Sequence, residues 1–119
     1  MSILGRLFGG KTPAQVQPRL DQAVLVYLKG SGLPAYVYQE CDLGTIGGQL
    51  RQVLAREGLG LFDGNEIGPT EAILYMYGPD PERLFAGVER TLRDYPLCAG
   101  AGVVIRRGGP GAEQRELTL

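Results

Sequence analysis

The chain has 119 residues, 44% of them apolar and 21% charged. That suffices for one globular domain, is too little for two ordinary ones, and is too apolar for a disordered chain. Twelve Lys and Arg against thirteen Asp and Glu leave a net charge of −1, no basic surplus to hold nucleic acid, and the absence of histidine excludes Ser-His-Asp and Cys-His catalysis and any histidine-ligated metal.

The chain opens with Arg6, Lys11 and Arg19 and no acid before residue 21, so residues 1–20 carry +3 and the remainder, with nine bases and thirteen acids, carries −4. Gly9, Gly10, Pro13 and Pro18 break this stretch, which reads as a flexible basic tail ahead of a single domain over 21–119. Ile3, Leu4, Leu7 and Phe8 fall at helical spacing, as a membrane-touching or partner-docking helix would have them. So short a helix is unstable alone in water, and a frayed terminus is the expectation. No leader-like apolar run opens the chain, and the run Ala23 to Leu28 falls far below the roughly 18 residues of a membrane span. A cytoplasmic setting with reduced cysteines and no integral membrane association is therefore expected.

Ala23 to Leu28 predicts a strand, ended by the turn residues Lys29 to Pro34. Ala35 to Gln39 is a second extended candidate. Asp42 or Thr45 can cap a helix whose Leu43, Ile46, Leu50, Val53 and Leu54 share one side, and Gly58 stops it after Arg56. Gly44, Gly47 and Gly48 weaken its first turns and suggest a close backbone approach or a ligand there. Leu59 to Phe62 predicts a short strand entering a turn-rich loop, Asp63 to Thr70, in which Asp63-Gly64 and Asn65 suit a hairpin connection. Glu71 to Tyr77 is the strongest strand. Asp80-Pro81-Glu82 is a helix start with an acid cap, Pro at N1 and an acid in the first turn. Leu84, Phe85, Val88, Leu92 and Tyr95 give that helix an apolar stripe closed by Pro96. Ala101 to Arg107 and Gln114 to Leu119 predict the last strands.

The succession βαββαβ, with possible extra strands, is that of an α+β, ferredoxin-like two-layer sandwich with two helices on one face of an antiparallel sheet. In such a sandwich the far face should be polar. Here Ile73, Tyr75 and Tyr77 alternate with Ala72, Leu74 and Met76, and Ala23, Leu25 and Tyr27 with Val24, Val26 and Leu28. An apolar, tyrosine-bearing far face either marks a partner surface, with Tyr27, Ile73, Tyr75 and Tyr77 as its contact residues, or is covered by the tail, the Gly30–Pro34 loop or an edge strand folding over it. Five of the six tyrosines (27, 36, 38, 75 and 77) fall in strand candidates. Aromatic faces also stack RNA bases, but Arg106, Arg107 and Lys29 are a thin basic complement, and no nucleic-acid partner is expected.

Catalytic chemistry finds little support. Asp63, Asn65 and Glu66 offer too few oxygens for a calcium loop. Ser2 and Ser31 are the only serines, both in loop-like stretches. Cys41 has no histidine to act with, and a structural role is expected for both cysteines. Gly58-Leu59-Gly60 and Gly108-Gly109-Pro110-Gly111 lack the helix that follows a phosphate loop. No cofactor, no metal and no enzymatic activity are expected.

Two resemblances extend this reading. Leu61-Phe62-Asp63-Gly64-Asn65-Glu66-Ile67-Gly68, then Ala72 to Asp80 and Leu84-Phe85, look like a group of small uncharacterised bacterial proteins with a DGxExG turn and a YGPD strand-to-helix corner. The likeness covers roughly residues 22–119 and implies a bacterial source and the fold, with no assigned activity. Asp42-Leu43-Gly44-Thr45-Ile46, opening a helix to Gly58, more faintly resembles ACT-type regulatory domains. Those share the βαββαβ order and bind small molecules, often amino acids, beside the loop before this helix; here Leu43 stands where their pattern has proline.

The leading expectation is a non-enzymatic domain acting by protein–protein contact, as a homodimer or as an adaptor or immunity-type partner, through the tyrosine-bearing face. The alternative is a small-molecule sensor binding near Asp42–Gly48, with Asp42, Leu43, Gly44, Asp63, Asn65 and Glu66 as ligand contacts.

Overall fold

The computed structural model describes residues 22–109 and 111–119. The expected tail, residues 1–20, with its helical spacing at Ile3 to Phe8, lies outside the described residues. Strand β1 (Gln22–Lys29) leads to helices α1 (Ala35–Glu40) and α2 (Leu43–Glu57). Strands β2 (Leu61–Ile67) and β3 (Glu71–Tyr77), helix α3 (Pro81–Asp94) and a 3-10 turn (Pro96–Cys98) follow. Strands β4 (Gly102–Arg107) and β5 (Gln114–Thr118) close the chain. The five strands form one antiparallel sheet in the order β2-β3-β1-β4-β5. Among the described residues the architecture is therefore α+β: one antiparallel sheet and three helices.

Local chemistry explains the helix ends. Asp42 Oδ1 accepts a hydrogen bond from Thr45 N at 2.7 Å, and Gly58 closes α2 in the left-handed conformation with φ 64°, which glycine adopts without steric cost. Asp80 Oδ1 accepts from Arg83 N at 3.1 Å, with Pro81 in the first turn. Each cap satisfies a backbone donor that the helix itself leaves open.

The core lies between the helices and one face of the sheet. Val24, Val26 and Leu28 of β1, Leu74 and Met76 of β3, and Val103 and Ile105 of β4 point into it. Ile46, Leu50 and Leu54 of α2 and Leu84, Val88 and Leu92 of α3 meet them, each 0–1% exposed. The close approach expected at the glycines of α2 occurs at Gly47, where a Cβ would stand 3.2 Å from the Phe62 ring. A Cβ at Gly48 would meet nothing within 4 Å.

Three expectations are corrected. Residues 35–39 are helical, so Tyr36 and Tyr38 leave the sheet and a third helix joins the two expected. Pro34 opens this helix with φ −55°; Val37 is buried, and the Tyr38 hydroxyl, donating to Lys29 O at 3.2 Å, ties it down. Both sides of β1 are already occupied by β3 and β4, and this tertiary context overrides the β-prone composition. Second, the loop read at Asp63 to Ile67 is the outer part of β2, and the hairpin turns after it, with Gly68 N donating to Glu71 O at 2.8 Å. Third, Asp63-Gly64 is a bulge rather than the hairpin connection: the register shifts between Phe62 and Gly64, and Gly64 takes φ 107°. Bulge and turn call on the same glycine property, and an edge strand tolerates the polar residues that made this segment look like loop.

Candidate functional site

The pairing register arranges the sheet face away from the helices into three rows across all five strands. Leu61, Tyr77, Ala23, Arg106 and Gln114 form the first. Gly64, Tyr75, Leu25, Val104 and Glu116 form the second, and Glu66, Ile73, Tyr27, Gly102 and Thr118 the third. The middle of this face is apolar. Ala23 and Leu25 are withdrawn from water at 0% and 8% exposure, while Leu61, Ile73, Val104 and the three tyrosines are half-buried.

Polar tips punctuate the face. The Tyr75 hydroxyl donates to Glu66 Oε1 at 2.6 Å. That bond to a carboxylate, followed by desolvation, pushes the Tyr75 phenol up to about 12. Burial, then the nearby Asp63 carboxylate, also raises the Tyr77 phenol, against an opposing pull from Arg106. Both rings therefore present neutral hydroxyls at pH 7, apolar bodies with a polar end, a combination enriched at protein interfaces. Arg106 Nε donates to Gly108 O at 2.6 Å.

The two halves of the face differ in their side chains. On the β3 side stand Ile73, Tyr75 and Tyr77. On the β4–β5 side an open hollow of about 460 Å³ is lined by Tyr27, Gly102, Val104, Glu116 and Thr118 among others. A Cβ at Gly102 would meet nothing within 4 Å.

All four residues expected to bind a partner, Tyr27, Ile73, Tyr75 and Tyr77, share this face. The residues expected around a ligand divide. Asp42 and Leu43 line an apolar cavity of about 190 Å³ with Leu28, Ile67, Ala72 and Leu97 among others, whereas Gly44, Asp63, Asn65 and Glu66 do not line it. Asp42 is held there by Tyr95, whose hydroxyl accepts from Asp42 N at 2.9 Å and donates to Asp42 O at 3.1 Å. Ile67 at the cavity is 74% exposed. Leu61, Val104 and Gly102 of the sheet face were not singled out from sequence; the alternation Gly102, Val104, Arg106 carries that signal once the strand is paired.

Other chemistry is sparse. Both cysteines are free, and burial pushes the Cys98 thiol up to about 12, which makes it a poor nucleophile at pH 7. Among the described residues, no group of three or more Cys, Asp and Glu side chains is placed to hold a metal ion, and no helix is long and apolar enough to cross a membrane. Compared with family models, curated proteins and solved structures, the chain matches none.

Proposed function

We propose that this chain is a non-enzymatic contact domain on the ferredoxin-like plan, and that its open sheet face binds a protein surface. The strand succession, with β1 between β3 and β4, supports the plan. The observation that carries the contact reading is the face itself, on which Leu61, Ile73, Tyr27, Tyr75, Tyr77 and Val104 are only half-buried. An apolar face of this breadth stays in water at a cost unless something covers it. Free Cys41 and Cys98 suit a reducing compartment such as the cytoplasm. Sedimentation of the full chain tests the reading: self-association falls when Tyr75→Ala and Tyr77→Ala are combined, and a wild-type dimer that the double variant leaves unchanged contradicts it.

A second reading has its own support in the cavity at Asp42 and Leu43, whose volume of about 190 Å³ and apolar lining suit a small molecule with an apolar body. A ligand there raises the unfolding midpoint by several degrees at concentrations well above its dissociation constant. A thermal-shift screen with amino acids and other small metabolites that moves nothing removes this alternative.

A further inference from the structure

We infer that the open face docks a second copy of this chain, about a two-fold axis that lies in the interface and runs along β1. The inference rests on the contact reading and adds the partner and its orientation. Strand β1 divides the half of the face that carries Ile73, Tyr75 and Tyr77 on β3 from the half that contains Gly102 and the hollow of about 460 Å³. A two-fold along β1 leaves each row facing its own counterpart and exchanges the two halves. Ile73 of one copy then stands over Gly102 of the other, Tyr75 over Val104, and Tyr77 over Arg106. Ile73 thus meets a glycine, Tyr75 the smaller Val104 beside the hollow and Tyr77 the long Arg106 side chain, each contact made twice by the symmetry, while Ala23, Leu25 and Tyr27 on the axis meet their own counterparts.

The charges agree. Under this axis Glu66 comes over Thr118, a hydroxyl donor, and Glu116 comes over Gly64. Turning the axis across the strands instead sets β3 against β3 and β5 against β5. That arrangement brings the charged Arg106 rather than an apolar side chain over the hollow at Gly102 and places Glu116 on Glu116, a like-charge contact between apposed surfaces. Packed sheets cross at about 30°, so the correspondence is tightest near the centre and drifts toward β2 and β5. Five strands about 4.8 Å apart and three rows about 7 Å apart cover on the order of 500 Å² per copy, or about 1,000 Å² in total, at the lower bound for a specific contact.

A size swap on the full chain tests the axis. Ile73→Ala removes the large side chain and Gly102→Ile fills the hollow, and each weakens the dimer roughly tenfold or more because the symmetry applies every change twice. Combining Ile73→Ala with Gly102→Ile moves the large side chain to the other side of β1 and restores most of the lost affinity by sedimentation. Unfolding midpoints of the same samples identify any variant that fails to fold, and Gly102→Val replaces Gly102→Ile if that one does. A double variant as weak as the single ones overturns the axis and leaves the contact reading standing. A wild-type chain that is monomeric overturns the second copy as occupant. Single variants that leave a wild-type dimer untouched overturn the contact reading itself.

Discussion

Neighbouring residues Ile73 and Leu74 lie on one strand and point to opposite faces of one sheet. Leu74 is 0% exposed and sealed under the helices, whereas Ile73 is half-buried on the face opposite them. The helix-facing side is built from aliphatic residues whose packing stabilises the fold. The open side is as apolar at its centre but ends in the tyrosine hydroxyls of Tyr27, Tyr75 and Tyr77, groups that tolerate water until a surface covers them. Hydrophobic pattern alone makes the two faces alike; what separates them is which one the helices reach.

The sharpest separation comes from truncating each neighbour. Leu74→Ala opens a cavity in the sealed core and costs about 2–5 kcal/mol in denaturant unfolding. Asp80→Ala removes the cap of α3, the helix that covers β1 and β4, and costs about 1 kcal/mol by the same measurement. Ile73→Ala leaves no closed cavity, and in dilute protein it costs less than about 1 kcal/mol. Equal losses at Ile73 and Leu74 in dilute protein would erase the distinction between the faces.

Smaller effects distinguish the faces by pH. On the helix side, Glu82 bonds to Arg115 at 2.7 Å and stands 3.6 Å from Arg107. The Arg115 hydrogen bonds, chiefly, hold its carboxyl below the ordinary value of 4.5. Its contribution is therefore present above pH 4.5 and is lost as pH falls through the lowered value; Glu82→Gln removes that acid limb from a stability–pH profile. On the open side the Tyr75 phenol is raised, so its contribution is complete below pH 10.0 and is lost as pH climbs toward about 12. Glu66→Gln moves the ionisation of Tyr75 back toward 10.0, read from tyrosinate absorbance; an unmoved titration would break the assignment of Glu66 as its cause.

Legibility in the sequence followed the range of the interactions. Asp42, Gly58, Asp80 and Pro81 act on backbone groups within a turn of themselves, and their helix ends were readable directly. Period-two alternation placed Tyr27, Ile73, Tyr75 and Tyr77 together because it needs only the strand assignment. Residues 35–40 failed because β-prone side chains there answer to Pro34 and to a β1 already paired on both sides. Asp63-Gly64 failed because a bulge and a hairpin turn leave the same local signature. The hollow beside Gly102, and the walls that Ile67, Ala72 and Leu97 bring to the cavity at Asp42 and Leu43, were out of reach: each is assembled from distant segments whose register no local pattern records.

The most direct test is the molar mass in solution, by light scattering, of the wild-type chain, Tyr75→Ala and Tyr36→Ala. Tyr36 is 56% exposed on α1, a tyrosine off the sheet face, and serves as the control. The wild type and Tyr36→Ala should each have twice the 12.8 kDa chain mass, and Tyr75→Ala should approach 12.8 kDa. A dimer mass shared by all three proteins, or an equal fall in both variants, would contradict the assignment of the open face as the contact surface, and a monomeric wild type would overturn the second copy as its occupant.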